Sequence, residues 1–221
     1  MTHAAPTGLQ AVIFDLDGTL LDSEAASLRA GLRAFEAVGV TVPDSFLHGL
    51  VGKDYAAGQA LIRARFPEID SDRLAREWAG LTREMRNRDG VALKPGAAEL
   101  LAHLSERGMP LALATSSHDG SAREKLALSG LDRHFDIVVT RDSVLRAKPA
   151  PDAYLLAAER LSLPTDRCLV FEDSDPGAEA AHGAGAWVVQ VPDILPTDGA
   201  FAHHVATTLS DGADWAGLWQ R

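Results

Sequence analysis

The 221-residue sequence predicts an α/β protein, a doubly wound parallel sheet with a small helical unit inserted after the first strand. Three observations carry that prediction. Short, nearly continuous apolar runs alternate with helical patterns through the second half of the chain, as in parallel strands covered on both faces. Two of those helical patterns open on prolines, Pro151 and Pro176, at positions where a first-turn proline is tolerated. Between the first strand and the next convincing one, the chain reads helical throughout.

The first strand is Ala11–Phe14. Glu24–Val38, Tyr55–Arg65 and Ser71–Arg88 then place apolar residues at three- and four-residue spacing, with breakers at Gly39–Pro43 and Lys94–Gly96. Helix Gly96–Arg107 leads to strand Pro110–Ala114, and helix Ser121–Leu128 to strand Ile137–Val139. Helix Pro151–Leu161 leads to strand Cys168–Phe171, and helix Pro176–Gly183, capped by Ser174 or Asp175, to strand Trp187–Val191. Strand and helix in alternation imply right-handed crossovers. Residues 1–22 and 91–221 are therefore expected to form the sheet domain, with residues 23–90 a helical insertion over the carboxyl end of the first strand.

Charge supports the division. The net charge is −10, yet Ser23–Gly90 carries ten basic and ten acidic residues, so the whole excess falls on the remainder. An acidic surface repels phosphate backbones, which argues against nucleic-acid binding. No apolar stretch approaches the roughly 18 residues of a membrane span, and Met1–Gln10 has no signal-peptide pattern. A cytoplasmic monomer is expected. The single cysteine, Cys168, excludes an internal disulfide and a cysteine-based zinc site.

The chemistry is expected at strand ends. The first strand runs into Asp15-Leu16-Asp17-Gly18-Thr19, two carboxylates at the crevice where open α/β sheets bind ligands. Asp-Gly alone is common turn chemistry. However, the second strand ends at Thr115-Ser116-Ser117, the fourth at Glu172-Asp173-Ser174-Asp175, and Lys148 precedes a helix in Ala147-Lys148-Pro149. Acids, hydroxyls and one lysine converging on one sheet edge suit a hard cation and a phosphoryl group.

These motifs resemble the haloacid dehalogenase-like hydrolase superfamily, in the branch of β-phosphoglucomutase, phosphoglycolate phosphatase and pseudouridine monophosphate phosphatase. Asp15–Thr19 matches the first motif, Thr115 the second, Lys148 the third and Glu172-Asp173 the fourth, in order across nearly the whole chain. Leu113–Ser117 and Cys168–Ser174 are similar to the pseudouridine monophosphate phosphatase group. The resemblance implies an Mg²⁺-dependent phosphatase acting on a small phosphorylated metabolite, a sugar phosphate or nucleoside monophosphate. It makes Asp15 the nucleophile and Asp17 the acid–base group. Gly18, Thr115, Ser116 and Lys148 would hold the phosphoryl oxygens. Asp15, the Asp17 carbonyl and Asp173 would hold Mg²⁺, with Glu172 a direct or water-mediated ligand. Lys53, in the insertion that the resemblance makes a cap, and His118, after the second motif, are candidate substrate contacts.

Other residues have simpler readings. Cys168 is expected to be a packed thiol, His203 and His204 a solvated loop, and Trp215 and Trp219 the packed face of a final helix. Arg83, Arg86 and Arg88 read as a solvated helix end, one of which could face the site. Gly52-Lys53 lacks the P-loop pattern. A phosphomutase is the second functional reading. In the β-phosphoglucomutase pattern a histidine, an arginine and a lysine occupy the positions held here by Ser27, Tyr55 and His118. A dehalogenase is disfavoured, because that branch works without a metal and typically does not keep the second aspartate. A catalytically silent binding protein would be expected to lose an acid or the lysine, and none is lost.

Overall fold

The computed structural model describes residues 4–50 and 55–219. Within them, six parallel strands form one sheet: β1 (Ala11–Phe14), β2 (Leu111–Ala114), β3 (Ile137–Val139), β4 (Cys168–Glu172), β5 (Trp187–Gln190) and β6 (His204–Val205). Their order is β3-β2-β1-β4-β5-β6. The chain steps outward from β1 to β3, then returns to lay β4 against the other side of β1. The carboxyl ends of β1 and β4 thus flank the switch point where a crevice opens. Register is set by packing: Phe14 lies opposite Phe171, and their rings stack at 5.2 Å.

The chain divides into two compact units, Met1–Asp22 with Ala92–Arg221, and Ser23–Val91. In the first, helices α5 (Ala97–Glu106), α6 (Asp119–Ser129), α7 (Asp152–Leu161), α8 (Asp175–Gly183) and α9 (Leu209–Trp215) complete the α/β architecture expected from the strand pattern. One face of the sheet packs Ile13, Ala112, Ala114 and Val170 with Tyr154, Ala157, Ala178 and Ala181 of the flanking helices. Small residues predominate there, which lets the α7 and α8 helices approach the strands closely. Ser174 caps α8 through the Gly177 N–H at 3.2 Å, with Pro176 in the first turn.

The second unit holds α1 (Ser23–Ala37), α2 (Asp44–His48), α3 (Tyr55–Arg65) and α4 (Ser71–Asp89). Ala34, Phe35, Leu47, Ile62, Phe66 and Leu74 form its core. The Asp70 carboxylate caps α4 by accepting from the Asp72 and Arg73 N–H groups. Gly31 admits the Trp78 indole, which donates to the Ser27 carbonyl at 2.8 Å. The α2 helix was not expected; five residues are too few to show a helical period.

Two readings at the carboxyl terminus need correction. His203 and His204 are not in a solvated loop. His204 lies in β6 with its ring stacked on Trp215 at 4.8 Å, and His203 Nδ1 accepts from the Val188 N–H. Trp219 follows α9 rather than lying on it, and donates to the Ser210 carbonyl at 3.3 Å. Cys168 is buried as expected, and burial pushes its thiol up to about 11. Among the described residues, no helix is long and apolar enough to cross a membrane.

Candidate active site

The β1 strand delivers Asp15 to the switch point, where its backbone N–H donates to the Phe171 carbonyl at 3.0 Å. The chain then turns sharply. Leu20 and Leu21 both donate to the Leu16 carbonyl at 3.0 Å, and Gly18 donates to the Leu21 carbonyl at 2.9 Å. Gly18 is required twice over. Its φ is +85°, and a Cβ there would stand 2.4 Å from Asp173 Oδ2. The Asp173 carboxylate is thereby seated on the first-motif turn, where it also accepts from Thr19 Oγ1 at 3.1 Å.

Lys148 ties three strands together. Its ammonium donates to Asp15 Oδ1 at 2.6 Å, Glu172 Oε1 at 2.6 Å and the Ala114 carbonyl at 2.9 Å. Burial opposes that charge, but the Asp15 and Glu172 carboxylates outweigh it and hold the ammonium well above the ordinary lysine range. Burial pushes the Asp15 carboxyl up to about 7; Lys148 pulls the other way, while Glu172 and Asp17 reinforce the rise. Glu172 is buried too, yet the Lys148 ammonium and the hydrogen bonds on its carboxylate hold it below its ordinary value. Five donors converge on it: Lys148 and Tyr154 on Oε1, and the Asp173 N–H, Ser174 N–H and Ser174 hydroxyl on Oε2. Gly177 of α8 leaves the space for this carboxylate.

The second motif is held differently. Thr115 is buried, donates its N–H to the Val139 carbonyl, and accepts the Ser117 N–H on Oγ1 at 3.0 Å. Ser116 is exposed at the tip. The Ser117 hydroxyl donates to Asp17 Oδ2 at 2.7 Å, and Lys125 Nζ donates to both Asp17 oxygens at 2.7 and 2.6 Å.

Asp15, Asp17, Gly18, Thr115, Lys148, Glu172 and Asp173 thus all belong to the strand ends and turns around the switch point, as the motif order implied. His118 stands at the start of α6, exposed, with Nδ1 on Asp142 Oδ1 at 2.7 Å. The Asp119 N–H, together with His118, holds the Asp142 carboxyl below its usual range. Lys53 lies outside the described residues. Two site residues were missed from sequence, Lys125 and Tyr154. Lys125 had a signal: it sits on α6 between Ala122 and Leu126, which are buried, so a charged side chain occupies a helix face turned inward. Tyr154 reads as core, and its hydroxyl partner is invisible without the fold.

The second unit has a cavity of its own, about 450 Å³. Gln59, Trp78, Thr82, Arg83 and Arg86 are among its lining residues. The Gln59 side-chain oxygen is buried there without a hydrogen-bond partner.

The donor set fits a hard divalent cation in kind. Its carboxyl groups are those of Asp15, Asp17, Glu172 and Asp173, with the Lys125 ammonium on Asp17 and the Lys148 ammonium on Asp15 and Glu172. Among the described residues, no three acidic, histidine or cysteine side chains stand together as a preformed cage. Lys148 holds Asp15 and Glu172, Lys125 holds Asp17, and Asp173 accepts from the Thr19 hydroxyl.

Comparison with known proteins places the chain in a family. The family model for haloacid dehalogenase-like hydrolases matches residues 9–185. Over 177 residues the chain is 32% identical to the phosphorylated carbohydrates phosphatase of Thermotoga maritima, covering 80% of this chain and 82% of that protein. Over 181 residues it is 35% identical to the fructose-1-phosphate phosphatase YqaB of Escherichia coli, covering 81% and 95%. A crystal structure of a HAD family hydrolase from Deinococcus radiodurans with bound phosphate and sodium superimposes with a TM-score of 0.79, at 28% identity, covering 96% of this chain and 98% of that one. With a family model matched over most of its length and relatives above 30% identity across four fifths of it, the chain belongs to the haloacid dehalogenase-like hydrolases.

Proposed function

We propose that this hydrolase is a phosphatase of small phosphorylated metabolites, sugar phosphates or nucleoside monophosphates, working through an aspartyl-phosphate on Asp15 with Mg²⁺ as cofactor. One observation carries the reading: the two acids of Asp15-Leu16-Asp17 are held by different lysines. Asp15 pairs with Lys148, its side chain 8% exposed, and Asp17 pairs with Lys125, its side chain 25% exposed. Two carboxylates kept apart in this way are suited to different tasks.

Asp15 attacks phosphorus, the bond to the ester oxygen breaks, and Asp17 delivers a proton to that oxygen as it leaves. Water then attacks the phosphorus of the aspartyl-phosphate, with Asp17 receiving its proton, and the Asp15 carboxylate is regenerated as inorganic phosphate departs. The Thr115 hydroxyl and the Ser116 N–H hold phosphoryl oxygens, and Lys148 offsets negative charge on both nucleophile and phosphate. Asp15, the Asp17 carbonyl and Asp173 would hold the Mg²⁺. Because both Glu172 oxygens already accept donors, its contribution would pass through water. The cation would supply charge neutralisation, without which clustered acids would repel a phosphate dianion.

Release of phosphate is favoured over transfer to a second hydroxyl. Ser27, Tyr55 and His118 stand where the mutase pattern has basic groups, and His118 is engaged by Asp142. Charge-assisted contacts worth about 1.5–3 kcal/mol each are therefore missing for a second phosphate.

The test is hydrolysis of p-nitrophenyl phosphate, followed by a panel of phosphorylated metabolites, with Mg²⁺ and with a chelator. Turnover should require Mg²⁺. Asp15→Asn should abolish it, and Asp17→Asn should cost at least about 10²-fold, the usual worth of a general acid–base group. Full activity after exhaustive chelation, or a phosphoryl group trapped on serine or histidine, would overturn the reading.

A further inference from the structure

We propose that Lys125 is the positioning residue for Asp17, fixing the plane of its carboxylate and locking it to the Thr115–Ser117 loop; this rests on the acid–base role given to Asp17 above.

The geometry is a closed triangle. Lys125 Nζ donates to Asp17 Oδ1 at 2.7 Å, to Asp17 Oδ2 at 2.6 Å and to Ser117 Oγ at 2.9 Å. Ser117 Oγ in turn donates to Asp17 Oδ2 at 2.7 Å. The Ser117 N–H rests on Thr115 Oγ1 at 3.0 Å, so the loop that would hold phosphoryl oxygens and the carboxylate that would protonate the leaving group share one anchor. The lysine reaches this point from the inward face of α6, with its side chain only 11% exposed. Ordering a long lysine side chain and withdrawing its ammonium from water are both unfavourable, and a lone aliphatic contact would not justify them.

Proton delivery to a leaving oxygen tolerates little angular error. Lys125 contacts both Asp17 oxygens and also holds Ser117, whose hydroxyl reaches one of them, and together these contacts fix the carboxylate plane rather than a single atom. When Asp17 turns one oxygen to the leaving group, Lys125 can keep the other. No bond to phosphorus forms or breaks at Lys125, and its proton stays on nitrogen.

The experiment measures kcat/KM, which reports transfer of the phosphoryl group to Asp15, for aryl phosphates from nitrophenyl to unsubstituted phenyl phosphate, with Mg²⁺ present. Nitrophenolate leaves without help, whereas phenolate needs the proton. Lys125→Met should lower kcat/KM for phenyl phosphate by about 10–100-fold, part of the 10²–10⁴-fold worth of general acid catalysis, and for nitrophenyl phosphate by only about threefold or less. Lys125→Arg, which preserves two donors and the charge, should restore most of the loss. Ser117→Ala should steepen the leaving-group dependence in the same direction by a smaller factor, and provides the test if Lys125→Met does not fold. Equal losses on every ester without rescue by arginine would make Lys125 a structural residue and sink the proposal. Asp17→Asn, run alongside, separates the two ideas. If it steepens the dependence and the Lys125 and Ser117 variants do not, only the positioning role fails; if it does not steepen the dependence, the acid role of Asp17 fails and the proposal falls with it.

Discussion

Replacing Gly177 with alanine should damage both stability and catalysis, although alanine is the better helix former. Gly177 lies in the first turn of α8, and a Cβ there would stand 1.7 Å from Glu172 Oε1, 1.9 Å from Cδ and 2.3 Å from Oε2. No adjustment of a few tenths of an ångström relieves such an overlap, so the carboxylate must leave its place. It accepts five hydrogen bonds, one of them from an ammonium. Losing two bonds to a charged acceptor costs about 3–6 kcal/mol at roughly 1.5–3 each. The usual gain of about 1 kcal/mol for glycine to alanine in a helix offsets part of this. The net loss, about 2–5 kcal/mol, corresponds to a fall of roughly 5–15 °C in melting temperature for a chain of this size. Activity should fall further than stability explains, because Lys148 loses one of the two carboxylates that position it. Gly183→Ala is the control in the same helix, since its Cβ would meet only Pro151 Cβ at 3.8 Å. A thermal melt and the rate with an aryl phosphate read both effects. If Gly177→Ala melts with the parent protein and turns over at the same rate, the assignment of Glu172 as the anchor of Lys148 is wrong.

Gly31→Ala should destabilise the inserted unit by about 1–3 kcal/mol, the usual cost of overpacking, because its Cβ would lie 2.5–2.9 Å from three atoms of the Trp78 indole. Gly80→Ala, with nothing within 4 Å, should be neutral or slightly stabilising, and denaturant melts of the pair give the comparison. Cys168 should resist alkylation at pH 8 while the protein is folded and react readily once it is denatured, because burial holds its pKa up at about 11. Rapid labelling of the native protein would show that strand β4 opens or that the thiol is not buried.

The sheet was legible because parallel strands buried on both faces leave continuous apolar runs. Ala11–Phe14, Leu111–Ala114 and Cys168–Phe171 are entirely buried, and each was readable to within a residue. Elements with too few residues to carry a period were not readable. The α2 helix has five residues and β6 has two, and what holds β6 in place is its pairing with β5 and the stacking of His204 on Trp215. Neither interaction leaves a trace in local sequence.

The same distinction runs through the site. Asp15, Thr115 and Glu172 follow strands directly or end them, so once the sheet is drawn they must converge. Lys148 belongs with them because it precedes α7 at the same edge. Lys125 and Tyr154 arrive from helices: the apolar neighbours of Lys125 mark an inward face and Tyr154 reads as core, but only the fold shows which groups the ammonium and the hydroxyl meet. The missing lysine changes the electrostatics in a definite way. With all four carboxyl groups ionised and Lys148 alone beside them, the site would carry a net −3, more negative charge than one divalent cation offsets. With Lys125 counted, the acids stand at −2. One Mg²⁺, bound as proposed, would bring that fully ionised site to neutrality, and the phosphoryl group would then be held by the Thr115 hydroxyl and backbone N–H groups rather than by further cations.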